Sequence, residues 1–288
     1  MNNPETSIID LAKGLDSPAP PEAVAQAPAN SNAPSVQAEP APAIGSTAEL
    51  KQLVESLLSK TRMKQAWISI DLPSKGLQNI PSLNIKLRPF RYEDERKLRA
   101  ATSLSESTEV LEELMNSCMQ GGSLRDVTLA DKNFILYKLR ELSYGNEYNV
   151  NADCGSCASM NALTVRLGDL ECKRATEDMD NPRRITLPDA EITLDIRELM
   201  ARDEASFSNP EDLTENLWKV VESIQGHNDR MVIQAFLKEC SARDISFLRN
   251  NIFESRMGLE NTVKFRCNSC SHEQVIELPI TEDFFSAS

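Results

Sequence analysis

Cys154-Gly155-Ser156-Cys157 and Cys267-Asn268-Ser269-Cys270 decide how this chain is put together. Each is a Cys-x-x-Cys pair, and each follows the same run-in: a helical segment, a glycine, a short apolar strand, then the first cysteine. Gly145 lies nine residues before Cys154, and Asp131 twenty-three. Gly258 and Asp244 stand at the same distances before Cys267. Phe134 matches Phe247 and Val150 matches Val263, so the register holds without a gap at an offset of 113 residues. A pattern repeated in this way predicts an internal duplication whose halves meet at one site.

The chemistry of that site follows from the ligands. A structural zinc is tetrahedral and takes four thiolate or imidazole ligands. One Cys-x-x-Cys knuckle fills half of that shell, and the second knuckle completes it. The sequence therefore predicts one structural zinc per chain, held by Cys154, Cys157, Cys267 and Cys270, with two half-ribbons docked face to face. The competing reading is four free cysteines in hairpin turns. A thioredoxin-like redox pair should open a helix after a buried strand, whereas each pair here lies between two strand-like runs. His272, two residues beyond Cys270, is expected at the surface, because four cysteines already complete the shell.

Outward from the knuckles, the chain reads in order. Residues 1–46 are Pro- and Ala-rich and lack the apolar content to offset chain entropy, so they are expected to form a disordered arm. Within the arm, residues 8–15 (Ile-Ile-Asp-Leu-Ala-Lys-Gly-Leu) make an apolar island that suits a docking peptide or simply belongs to the tail. Residues 47–170 are expected to hold a helix, two strands and the first repeat with its knuckle. Residues 171–191 are polar and charged and read as a linker, and residues 192–288 carry the second repeat and knuckle. Helices are expected over 47–64, 92–101, 107–119, from Thr128 to Gly145, over 198–207, 212–224 and 229–239, and again after Ser241. Strands are expected at 67–72, 83–87 and 192–196, and on both sides of each knuckle. The fold class is thus α+β: two tandem related repeats, each a small helical bundle plus a Cys-x-x-Cys β-hairpin, joined at a shared zinc-ribbon-like site.

Composition narrows the function. The 288 residues carry a formal net charge of −13, which repels a phosphate backbone, and the basic residues at 88–99 are interleaved with acids. Generic nucleic-acid binding is therefore disfavoured. No apolar run reaches spanning length, so no membrane association is expected, and residues 1–5 lack the pattern of a secretory signal. Seven cysteines is an odd number, with Cys118, Cys172 and Cys240 outside the knuckles, which fits a reducing compartment better than a disulfide framework. No nucleophile–base constellation, phosphate loop or dinucleotide fingerprint is present, and the two histidines, His227 and His272, lie in no catalytic pattern. No enzymatic role is expected, and no catalytic or cofactor-binding residue beyond the four cysteines is assigned.

Ile70-Asp71-Leu72-Pro73-Ser74-Lys75-Gly76, then Ile85-Lys86-Leu87-Arg88-Pro89-Phe90 before a charged helix, resembles the opening of the baseplate hub proteins of T4-like contractile-tailed phages. The similarity continues through Asp131, the helix ending at Tyr144-Gly145 and the knuckle at Cys154 and Cys157, and covers roughly residues 67–283. It implies a hub component or an assembly factor whose partners are other baseplate or hub proteins. The expected locations are the host cytoplasm during assembly and the tail baseplate of the virion. The alternative is a zinc-ribbon regulator that binds nucleic acid. That reading calls for a basic face near the knuckles, whereas Lys264, Arg266 and His272 are balanced there by Glu273 and Glu277.

Overall fold

The computed structural model describes residues 47–60, 67–100, 104–207, 210–254, 256–280 and 282–285. The expected arm, residues 1–46, and its apolar island at 8–15 lie outside them. The chain divides into two compact units, 1–56 and 57–288. Helix α1 (Thr47–Lys60) follows the arm, and its Leu50, Leu53, Val54 and Leu57 are exposed.

The elements from residue 67 onward belong to the second unit. Strands β1 (Ile68–Ser69) and β2 (Lys86–Leu87) pair antiparallel and are followed by helices α2 (Tyr92–Ala100) and α3 (Leu104–Ser117). Strand β3 (Met119–Gln120) then returns to the other edge of β2. Gly121 makes that return possible: its φ is +91°, and a Cβ there would lie 2.1 Å from the Asn84 carbonyl oxygen. Helix α4 (Leu129–Tyr144) starts in a capping box, in which Thr128 Oγ1 accepts from the Asp131 N–H and Asp131 accepts from the Thr128 N–H. It ends at Gly145, where φ is +93°. Phe134, Ile135, Leu136 and Leu139 bury its apolar face. The hairpin of β4 (Glu147–Asp153) and β5 (Met160–Arg166) alternates buried and exposed residues, as a half-covered strand pair requires.

The stretch 171–191, expected as a linker, carries two strands. Strand β6 (Cys172–Lys173) pairs with residues 258–259, and β7 (Arg183–Thr186) is the edge of a three-stranded antiparallel sheet. Its centre is β8 (Thr193–Ile196). The helix expected over 198–207 is instead a 3-10 helix, Ala201–Phe207. The helix expected over 212–224 stops early: α5 (Pro210–Glu215) gives way to a 3-10 turn and then to β9 (Val221–Ile224). There both β-branched residues, Val221 and Ile224, are buried, and β8 offers an edge on which Val221 pairs with Ile196 and Ile224 with Leu194, across an irregularity that leaves Glu222 outside the register. A partner edge and β-branched side chains override the helical spacing of Leu217, Val220 and Ile224.

Helix α6 (Arg230–Glu239) is capped by Asp229, and α7 (Ala242–Phe253) by Ser241, whose Oγ accepts from the Asp244 N–H. Strand β10 (Gly258–Leu259) pairs with β6, and β11 (Thr262–Arg266) with β12 (Glu273–Glu277).

Two apolar clusters form. The first gathers β2, β3, α3, α4 and the β4–β5 hairpin around Ile85, Leu87, Met115 and Leu139. The second gathers β7–β9, α6 and α7 around Leu194, Val220, Ile233 and Leu248. The first also takes Leu278, Phe284 and Phe285 from beyond β12. The Phe284 ring meets Tyr137 and Tyr148 edge-on at 5.1 Å each, and the Tyr148 hydroxyl donates to the Pro279 carbonyl at 2.9 Å.

Several polar contacts occur in matching places. Asp131 accepts from the Ser74 N–H at 3.0 Å and the Ser74 hydroxyl at 2.6 Å, in the turn after Leu72-Pro73. Asp244 accepts from the Asp189 and Ala190 N–H groups at 2.8 and 3.1 Å, in the turn after Leu187-Pro188. Arg88 pairs with Asp94 at 2.6 Å and donates to the Pro89 carbonyl; Arg197 pairs with Asp203 at 2.6 Å and donates to the Glu198 carbonyl. Each aspartate also accepts a backbone N–H three residues before it, from Arg91 and Met200.

Candidate metal centre

The two knuckles are the tips of the β4–β5 and β11–β12 hairpins. In the first, Cys154 accepts from the Ala158 N–H and donates its own N–H to the Ser159 carbonyl. In the second, Cys267 accepts from Ser271 and donates to His272. Ala158 and Ser271 both take a left-handed backbone, with φ of 56° and 61°, which turns each chain back into its second strand. The N–H groups of Ser156 and Ser269 each point at the first sulfur of their own knuckle, at 3.4 Å. Such N–H donors stabilise a thiolate.

The knuckles bring Cys154, Cys157, Cys267 and Cys270 together, with all four sulfurs within 4.8 Å of one another. Across the junction, Cys154 Sγ lies 3.6 Å from Cys270 Sγ, and Cys157 Sγ lies 3.7 Å from Cys267 Sγ. A tetrahedral centre with metal–sulfur bonds of about 2.3 Å has sulfur–sulfur edges of about 3.8 Å. The four cysteines thus lie close enough to bind a metal ion. Cys154 and Cys267 are buried, while Cys157 and Cys270 are exposed. Cys118 is buried and Cys172 and Cys240 are half-buried, all away from this cluster. His272 is exposed and takes no part in the cluster.

The thiols differ in acidity. Backbone N–H donors at Cys270 and Ser269, with the Cys154 and Asn161 side chains, hold Cys267 down at about 6. The Ser159 hydroxyl and backbone lower Cys157. For Cys270, the His272 N–H acts downward, but the neighbouring sulfur of Cys157, burial and the remaining sulfurs push it up to about 11. The lowered Cys267 thiol favours the thiolate form that a bound metal would require.

Two carboxamides hold the tips together, and the sequence reading passed over both. Asn161 Oδ1 accepts from the Asn268 N–H of the opposite knuckle at 2.9 Å. Gln274 Oε1 accepts from the Gly155 N–H of the first knuckle at 2.8 Å. The signal was available, since Asn161 and Gln274 stand four residues after Cys157 and Cys270 and share the 113-residue offset.

Comparison with curated proteins and with solved structures returns no match. A family model described as T4 bacteriophage base plate protein matches residues 68–286, from β1 through both knuckles and the Phe284–Phe285 pair. By that match, the chain belongs to the T4 bacteriophage base plate protein family.

Proposed function

We propose that this chain is a non-enzymatic structural or assembly protein of a phage tail baseplate, either a hub component or a factor that builds the hub. In this reading Cys154, Cys157, Cys267 and Cys270 hold one structural zinc, and the chain is built of two tandem related repeats, each carrying one knuckle. The observation that carries it is the meeting of two distant hairpin tips on one set of four sulfurs within 4.8 Å of one another, in a chain of the baseplate family. Four thiolates close the coordination shell and leave no open position for substrate, so the metal acts as a staple. The paired latches at Asp131 and Asp244, and at Arg88–Asp94 and Arg197–Asp203, support the repeat reading.

The partners are other baseplate or hub proteins, met in the host cytoplasm during assembly. The apolar island at residues 8–15 serves as a tethered docking peptide that raises the effective concentration of a neighbour. Deleting residues 1–45 should then weaken partner capture; unchanged capture refutes the tether. The central experiment is quantitative mass spectrometry of purified particles beside infected-cell lysate. A small fixed copy number in the particle identifies a hub component. Abundance among tail precursors with absence from the particle identifies an assembly factor. Association with neither overturns the baseplate role and favours a zinc-ribbon regulator.

A further inference from the structure

Asn161 and Gln274 occupy the same place in two different hairpins, the second residue of β5 and of β12. Each sends its side-chain carbonyl across the junction to the first residue after a cysteine, Asn268 or Gly155. The contacts are reciprocal: the first hairpin grips the second knuckle, and the second hairpin grips the first. Each also fastens its own amide group. Asn161 Nδ2 donates to the Ser159 carbonyl at 2.8 Å, and Gln274 Nε2 donates to the Asp153 carbonyl at 2.9 Å. Asn161 is 1 % exposed, so its carboxamide is shielded from competing water. The two residues also differ: the Asn161 amide fastens to its own hairpin and the Gln274 amide to the opposite one, and Asn161 Nδ2 approaches Cys267 Sγ at 3.7 Å, a contact Gln274 does not make.

We propose that Asn161 and Gln274 are a reciprocal pair of positioning residues that dock the two knuckles in register and thereby set the metal affinity of the four-cysteine centre. The proposal rests on the reading of that centre as a metal site. A Cys-x-x-Cys half-site alone binds weakly, and its partner is more than a hundred residues away in sequence. Carboxamides that bridge the junction without the metal lower the ordering cost at the moment of capture. Asn161 has a second task, because its N–H adds a donor to the Cys267 sulfur and withdraws charge from it.

The test uses full-length protein loaded with zinc, and separately with cobalt(II), whose bands report thiolate bonding. Zinc affinity is read by competition with a chromophoric chelator for the native chain, Asn161→Leu, Gln274→Ala and the double variant. Gln274→Ala, at a half-buried position, carries the test if Asn161→Leu fails to fold, and circular dichroism in chelator checks folding in every case. Each single variant is expected to weaken zinc binding by about 10- to 100-fold, the usual range for residues that orient ligands. Asn161→Leu should also shift the sulfur-to-cobalt charge-transfer band, while Gln274→Ala leaves the band in place. If both variants fold and keep native affinity, the positioning role is refuted and the metal site stands. If the native chain itself binds no metal, the metal reading fails, and the positioning role with it.

Discussion

Asp131 shows how much one buried side chain holds here. It is fully buried, closes the capping box of α4 and accepts two hydrogen bonds from Ser74. Asp131→Ala leaves the Ser74 and Thr128 N–H groups without partners, and the expected loss is about 2–4 kcal/mol, read from urea midpoints. Asp94 and Asp203 add a pH dependence. Burial works to raise both carboxyls, but hydrogen bonds from Arg88 and Arg91 in one case, and from Arg197 and Met200 in the other, prevail and hold both below the ordinary value. A depressed carboxyl stabilises fully above the unfolded value of about 3.9 and loses that contribution as pH falls through its lower folded value. Stability should therefore fall below about pH 4, and Asp203→Asn should flatten this acid limb while lowering stability at neutral pH. An acid limb identical in the variant would remove Asp203 from the account. At this scale the sequence was legible where a side chain acts locally, as Thr128 and Asp131 do in the cap. It was opaque where the partner is far away: nothing beside Asp131 indicates Ser74, 57 residues before it.

Among the elements, the hairpin tips and capped helices followed from spacing alone, because turns and caps are set by neighbours within four residues. Strand β9 did not, since Leu217, Val220 and Ile224 fit a helical period and only the edge of β8 draws Val221–Ile224 into a sheet. The same dependence on a partner explains β6, whose two residues read as polar linker until β10 lies beside them. The return from α3 through β3 depends on Gly121. Gly121→Ala forces a side chain into a positive φ and against the Asn84 carbonyl. The expected cost is at least about 1–3 kcal/mol, measured by thermal melting, with hydrogen exchange rising first at Met119 and Leu87. Exchange unchanged along β2 and β3 would show that the strand edge tolerates the shift.

For the molecule as a whole, the four cysteines bring together two distant hairpins that both pack on the first apolar cluster, through Val150 and Val165 on one side and Val263 and Leu278 on the other. Cys267→Ser should release a bound metal and lower the melting temperature of the first cluster, on which both hairpins pack; full metal occupancy with an unchanged melting curve would falsify the shared centre. The first cluster has a further dependence that composition did not disclose. Phe284 and Phe285 lie in a short aromatic pair near residue 288, with no periodicity to mark them as core, yet Phe284 is fully enclosed by Tyr137 and Tyr148. Phe284→Ala should cost about 3–5 kcal/mol and expose amides of α4, more than 130 residues away. This placement also sets an order of events during synthesis. A nascent chain folds from its N-terminus as it emerges at roughly 5–20 residues per second. Here the wall of the first cluster is missing until residue 285 has cleared the ribosome. The early half must wait, unsealed, through the translation of the entire later half, and it closes last although it is made first.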